Sequence, residues 1–261
     1  MSAQASTVPI METIYRTWAE TVTAFERRGL PQETYSSLDE DEYILHPGHA
    51  VLAGSLWLDD HQYRRRNPWI KAGGRPEYDG IDGAVTGYVI DGDLHVEGNI
   101  LNLDYGSPSL IVLGDLKVAN LVLAGTSRLL VQGDIEAETF VGTSTDQHVG
   151  VLGDLRAALA IMWDEFLPEV GGRLRGRVLV PDHLDLDGHG LVVEDPAPHA
   201  GLSDLVVPEV LIADGDGAGD DLYLVETGLR YEHMIDRMVR GLPVVRGGRT
   251  VAPLEELPPR Q

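Results

Sequence analysis

The sequence predicts a mainly β protein: a right-handed parallel β-helix with coils of about twenty residues and α-helical segments at its two ends. Three observations carry that prediction. A short phrase recurs, as VIDGDL at 89–94, VLGDL at 112–116, VQGDI at 131–135 and VLGDL at 151–155. Its Gly-Asp pairs, Gly92-Asp93, Gly114-Asp115, Gly133-Asp134 and Gly153-Asp154, step by 22, 19 and 20 residues, a period that marks stacked repeats. Between the pairs, apolar residues alternate or run in threes and fours bounded by Gly, Asp, Asn and Ser, as short strands joined by turns do. Each coil then supplies about three strands, paired to the next coil about 4.8 Å away. A left-handed hexapeptide helix would need coils of about 18 residues, and the observed steps break that rule.

The remaining elements follow in order. Residues 1–9 read as a tail. From 10 to 28 the residues Ile10, Ile14, Trp18, Val22 and Phe25 recur at helical spacing, and Gly29 and Pro31 stop the helix. Residues 31–43 form an acidic connector. AVLAGSLWL at 50–58 reads as a weaker copy of the repeat, with Gly54-Ser55-Leu56 standing for Gly-Asp-Leu two periods before Gly92. A degenerate coil around residues 64–74 is expected between them. After Asp154, strand-like stretches cover 156–166, 174–192, 205–211 and 222–225. Residues 227–240 carry Leu229, Met234, Ile235, Met238 and Val239 at helical spacing, ended by Gly241-Leu242-Pro243. The chain thus divides into an N-terminal cap (1–45), a solenoid (46–200) and a C-terminal cap (201–261), acting as one cooperative domain. Both end helices are expected to cover the open edges of the solenoid, whose unpaired amides would otherwise recruit further chains.

Charge is the second strong signal. Forty-two acidic residues face 20 basic ones for a net charge of −22, which repels nucleic acid and anionic membranes and favours a basic partner. No apolar run approaches the length of a membrane helix, and the N-terminus lacks the pattern of a secretory signal. With no cysteine there is neither a disulfide framework nor a thiolate site. A cytoplasmic protein is the expectation.

The stretch VLGDLKVANLVLAGTSRLLVQGDIEAETFVG resembles the bactofilins, polymer-forming cytoskeletal proteins of bacteria, over roughly residues 85–160. The resemblance lies in repeat style and implies a β-helix and, as an alternative function, a self-assembling scaffold. The chain departs from the family's bare solenoid in its N-terminal helix and long C-terminal region, which as caps would block filament growth.

Several groups are candidate sites. Stacked in register, Asp93, Asp115, Asp134 and Asp154 would repel by roughly 1 kcal/mol per pair in a water-like dielectric. A backbone N–H donated to each carboxylate returns about 1.5–3 kcal/mol, so these residues read as structural turn formers. His183, Asp185, Asp187 and His189 alternate with Leu184 and Leu186; on a strand all four would share one face, a weak metal candidate against the simpler reading of a wet strand face. The His46-Pro-Gly-His49 turn is weaker still. DGDGAGDDLYL at 214–224 resembles one unit of a calcium-binding nonapeptide repeat, but it stands alone, and it fails the EF-hand pattern at Ala218 and Val225. It reads as an acidic loop. The acidic stretches Asp39, Glu40, Asp41, Glu42 and Asp214, Asp216, Asp220, Asp221 are the candidate partner contacts. No cofactor is expected, and no catalytic motif such as a nucleophile elbow, phosphate loop or zinc-protease signature occurs.

The expected function is a non-enzymatic, acidic, protein-binding solenoid, possible as a homodimer. Its most specific form is an immunity protein that neutralises a cationic bacterial toxin. The alternatives are the bactofilin-like scaffold and a metal-dependent or carbohydrate-active β-helix enzyme.

Overall fold

The computed structural model describes residues 13–38, 43–58, 87–103, 109–125, 128–143, 147–163, 165–181, 183–196, 201–212 and 228–253. They form a parallel β-solenoid of about five turns with four α-helices beside it. Face one stacks β2 (Tyr43–His46), β5 (Gly87–Ile90), β8 (Ser109–Val112), β11 (Arg128–Val131), β13 (His148–Val151) and β15 (Glu169–Val170) in that order. After a turn comes face two: β3 (Ala50–Leu52), β6 (Leu94–Val96), β9 (Leu116–Lys117), the first halves of β12 (Ile135–Gly142), β14 (Leu155–Met162) and β16 (Leu174–Leu179), then β17 (Val193–Glu194). Face three holds β4 (Leu56–Trp57), β7 (Asn99–Asn102), β10 (Asn120–Leu123) and the second halves of β12, β14 and β16. The expected three strands per coil are present, with two of them fused into single long strands in β12, β14 and β16.

Alternation explains the core. Along β8, Leu110 and Val112 point inward while Ile111 points outward, and β5, β11 and β13 repeat the pattern. The inward residues of all three faces make one continuous column from Ile44 to Leu174.

The first coil corrects the expected register. β2, β3 and β4 pair directly with β5, β6 and β7, so no coil lies between AVLAGSLWL and the first clear repeat. Gly54 stands beneath Gly98, whose N–H it accepts at 3.1 Å, and the true counterpart of Gly92-Asp93 is Gly48-His49. The local likeness of Gly-Ser-Leu to Gly-Asp-Leu misled because register is set by pairing between coils.

The ends also differ from expectation. The helix α1 runs only over Trp18–Arg27, since Thr17 and Glu20 form a capping box that starts it there. The residues before it form β1 (Ile14–Arg16), antiparallel to β2. Gly29, in the left-handed region at φ 72°, ends α1, with the Leu30 N–H bonded to the Phe25 carbonyl at 3.0 Å. Together with α2 (Gln32–Tyr35), α1 lies on the outer side of face one rather than over the end, burying Leu45, Val89, Ile111 and Leu130 under Phe25, Tyr35 and Leu38. Arg27 and Arg28 both bind the buried Asp91 carboxylate, Arg28 Nε at 2.6 Å.

At the other end, the 205–211 stretch is not a strand: it holds the end of α3 (Leu202–Leu205) and a 3₁₀ turn at Pro208–Val210. The expected C-terminal helix is α4 (Tyr231–Val239), stopped by Gly241 at φ 72°. This segment lies along the outer side of face three, where Met234, Met238, Val206 and Val245 cover Leu101, Val122, Val141 and Leu159. Burial beside Trp163 pushes the Tyr231 phenol up to about 12.

Candidate functional site

The Gly-Asp repeat forms a ladder running up one corner of the solenoid. Each Asp accepts, through Oδ1, the backbone N–H of the residue at its own position in the next coil: Asp115 to Asp93 at 2.9 Å, Asp134 to Asp115 at 2.9 Å, Asp154 to Asp134 at 2.7 Å, and Arg173 to Asp154 at 2.9 Å. His49 takes the first rung, its Nδ1 lying 3.0 Å from the Asp93 nitrogen. The carboxylate of one coil sits where a Cβ of the next coil's glycine would be, at Gly114, Gly133, Gly153 and Gly172 alike. None of these glycines has positive φ. The pair is therefore a link between coils, not a turn closed within one coil. The backbone N–H of the next coil, then Arg156, holds the Asp134 carboxyl below its usual range; Arg173 N–H, then Arg175 and Arg156, do so for Asp154.

Face three, and face one over its coils from Leu45 to Leu130, are overlaid by the chain's own C- and N-terminal segments. Face two is the open one among the described residues, and its outward column reads Val51, His95, Lys117, Glu136, Arg156, Arg175, Glu194. That column pairs with itself and with the ladder. Lys117 meets Glu136 at 2.6 Å; Arg156 bridges Asp134 and Asp154 at 2.6 and 2.8 Å; Arg173 meets Glu194 at 3.0 Å. Ion pairs this exposed add little stability, but they leave the strip nearly balanced in charge. The acidic stretches Asp39, Glu40, Asp41, Glu42 and Asp214, Asp216, Asp220, Asp221 lie outside the described residues.

The His-Asp stripe needs correction. Residues 183–190 are a run of turns, not a strand, so His183, Asp185, Asp187 and His189 do not share a face. The Asp185 carboxylate accepts the Gly188 N–H at 3.0 Å, and the Leu191 N–H bonds the Leu186 carbonyl. Leu186 packs on the solenoid core, and the four polar residues are exposed around it. Alternation mimicked a strand because Leu184 and Leu186 are half-buried in these turns while the polar residues between them stay exposed. Among the described residues, no three His, Asp or Glu side chains gather as metal ligands.

Comparison with protein-family models, curated proteins and solved structures finds no match for this chain. What the structure supplies is a solenoid whose corner is bonded coil to coil, two covered faces and one ion-paired open face. No helix of the described residues is long and apolar enough to cross a membrane.

Proposed function

We propose that this chain is a non-enzymatic protein-binding solenoid, and in its most specific form an immunity protein that neutralises a cationic bacterial toxin. The observation that carries the reading is the overlay of faces one and three by the chain's own ends. Such a solenoid is finished as a separate body, and what it offers to others is surface and charge. A charge of −22 steers a basic partner in and raises the association rate. With the open face paired internally, the two acidic stretches are the candidate contacts for that partner.

The test is capture by the tagged chain from its source cell at low salt, then calorimetry with the purified partner. A basic protein is expected, with affinity falling about tenfold or more between about 0.05 and 0.5 M salt. Recovery of only neutral or acidic proteins would overturn the reading. The scaffold alternative requires successive copies to continue the same sheets. β1 uses the free edge of β2 in antiparallel sense, which counts against parallel continuation of face one.

A further inference from the structure

The charges on face two are sorted by coil. At the start of β12 stand two carboxylates, Asp134 and Glu136. Two coils on, at the start of β16, the same two positions hold two guanidiniums, Arg173 and Arg175. The coil between them is neutral, with Asp154 bound to Arg156 at 2.8 Å. One coil further out on each side the sign changes again, to Lys117 before Glu136 and to Glu194 after Arg175. These groups are accessible: Glu136 is 60% exposed, Arg173 57% and Arg175 41%.

The column Lys117, Glu136, Arg156, Arg175, Glu194 is complementary to its own reverse. Turned end for end, it sets an opposite charge against every member except Arg156. A second copy presents that reversed column when rotated about a twofold axis lying along the strand direction at the level of Arg156. Glu136 then meets the second copy's Arg175, Asp134 its Arg173 and Lys117 its Glu194, and symmetry makes each contact twice. At the axis Arg156 meets its own image, and each guanidinium already carries Asp134 and Asp154 of its own copy. The ion pairs within one copy leave capacity for these contacts, since a guanidinium has five N–H donors and a carboxylate about four acceptor sites. The exposed Ala158, on the same coil as Arg156, adds no bulk there, beside a cleft of about 300 Å³ walled by Ala157, Pro196 and Leu205.

We propose that face two is a self-association surface, on which a second copy of this chain docks antiparallel about a twofold axis through Arg156. The occupant is a second copy because the rungs must match in height, and only another such solenoid repeats its charges at the coil spacing of about 4.8 Å. The other twofold, along the solenoid, would set Asp134 and Glu136 against their own images, which is repulsive. The dimer is closed, since each copy has one such face, and it builds no filament. The strip is about 30 Å tall and about 13 Å wide, less than the roughly 800 Å² per partner of a standard interface. The dimer is accordingly weak, with a dissociation constant of about 1–100 μM. The protein-binding reading does not depend on it, because neither acidic stretch belongs to these rows.

Sedimentation velocity across that concentration range is the test. Glu136→Arg and Arg175→Glu should each weaken the dimer about tenfold or more, because each reversal acts twice. Glu136→Arg also reduces the overall negative charge, so a general relief of repulsion would move it the other way. An equal mixture of the two variants should recover wild-type association, since every reversed residue then meets its opposite on the other chain. A wild type that stays monomeric, or a mixture no better than either variant alone, overturns the proposal. If a charge variant fails to fold, single cysteines decide, for the chain has none of its own. Ala158→Cys should be joined into dimers by a short bismaleimide. Val51→Cys, exposed four rungs from Arg156, should not, since its image lies about 38 Å away. Linkage through Val51→Cys rather than Ala158→Cys overturns the antiparallel arrangement.

Discussion

Gly133 is a glycine because Asp115, in the preceding coil, lies against it. A Cβ at Gly133 would strike the Asp115 carboxylate and come within 2.9 Å of the Gly114 backbone. Gly133→Ala is expected to destabilise by about 1–3 kcal/mol in chemical denaturation. Removing the carboxylate should relieve part of that clash, so Asp115→Ala and Gly133→Ala should be non-additive, the double mutant falling short of the sum. Strict additivity would show the two residues act separately. The same ladder sets an acid dependence. Asp134 and Asp154 have carboxyls held below their ordinary range, so their ionised form stabilises the native state. That contribution is complete above the unfolded-state value of about 4 and is lost as the pH falls through the lower native values. Asp134→Asn with Asp154→Asn keeps an acceptor for each N–H but does not titrate. Its melting temperature should fall less between neutral and acid pH than that of the wild type. The Gly-Asp phrase was legible as a repeat in the sequence, but its meaning was not. Reading Asp134 as a turn former supposed a partner close in sequence, whereas its partner N–H is 20 residues on.

The elements show where local patterns suffice and where they do not. α1 is bounded by signals written next to it, Thr17 with Glu20 at the start and Gly29 at the end. Helical spacing alone extended it back to Ile10, because Ile14 continues the apolar period. The capping box decides the start, since it satisfies N–H groups that a longer helix would use otherwise. Thr17→Ala should cost about 1 kcal/mol, read as a lower denaturation midpoint with an unchanged slope. The stretch at 183–189 is the opposite case, for the alternation of His and Asp with Leu suits a strand equally well. Only the bond from Gly188 to Asp185 and the anchoring of Leu186 on the core distinguish the turn. His49 stayed hidden for a third reason. A histidine does not look like the aspartate whose rung it fills, yet either offers an acceptor to the next N–H.

At the scale of the whole molecule, the solenoid is covered along its sides rather than only at its ends. The outward residues of face three form an apolar row, Leu101, Val122, Val141, Leu159 and Ile161, which would be a liability if bare. The C-terminal segment covers that row, and Arg249 clasps Glu138 at 2.7 Å beside it. Electron microscopy of the purified chain should therefore show single particles; filaments would overturn the argument from the covers and from β1. The periodic strands announced the architecture from the sequence. Side coverage did not show, because the outward residues of face three are as apolar as the inward ones. The corner ladder has one more consequence, for lengthening the molecule. Each rung donates its N–H to the coil before and accepts, through its carboxylate, from the coil after. Tandem duplication of any one coil's length, such as residues 135–154, would join every new Gly and Asp to a matching partner without designing a new junction. The α1 and C-terminal covers have fixed reach, however. A longer spine would expose bare outer rows, and the size of this protein is set by its wrapping rather than by its thread.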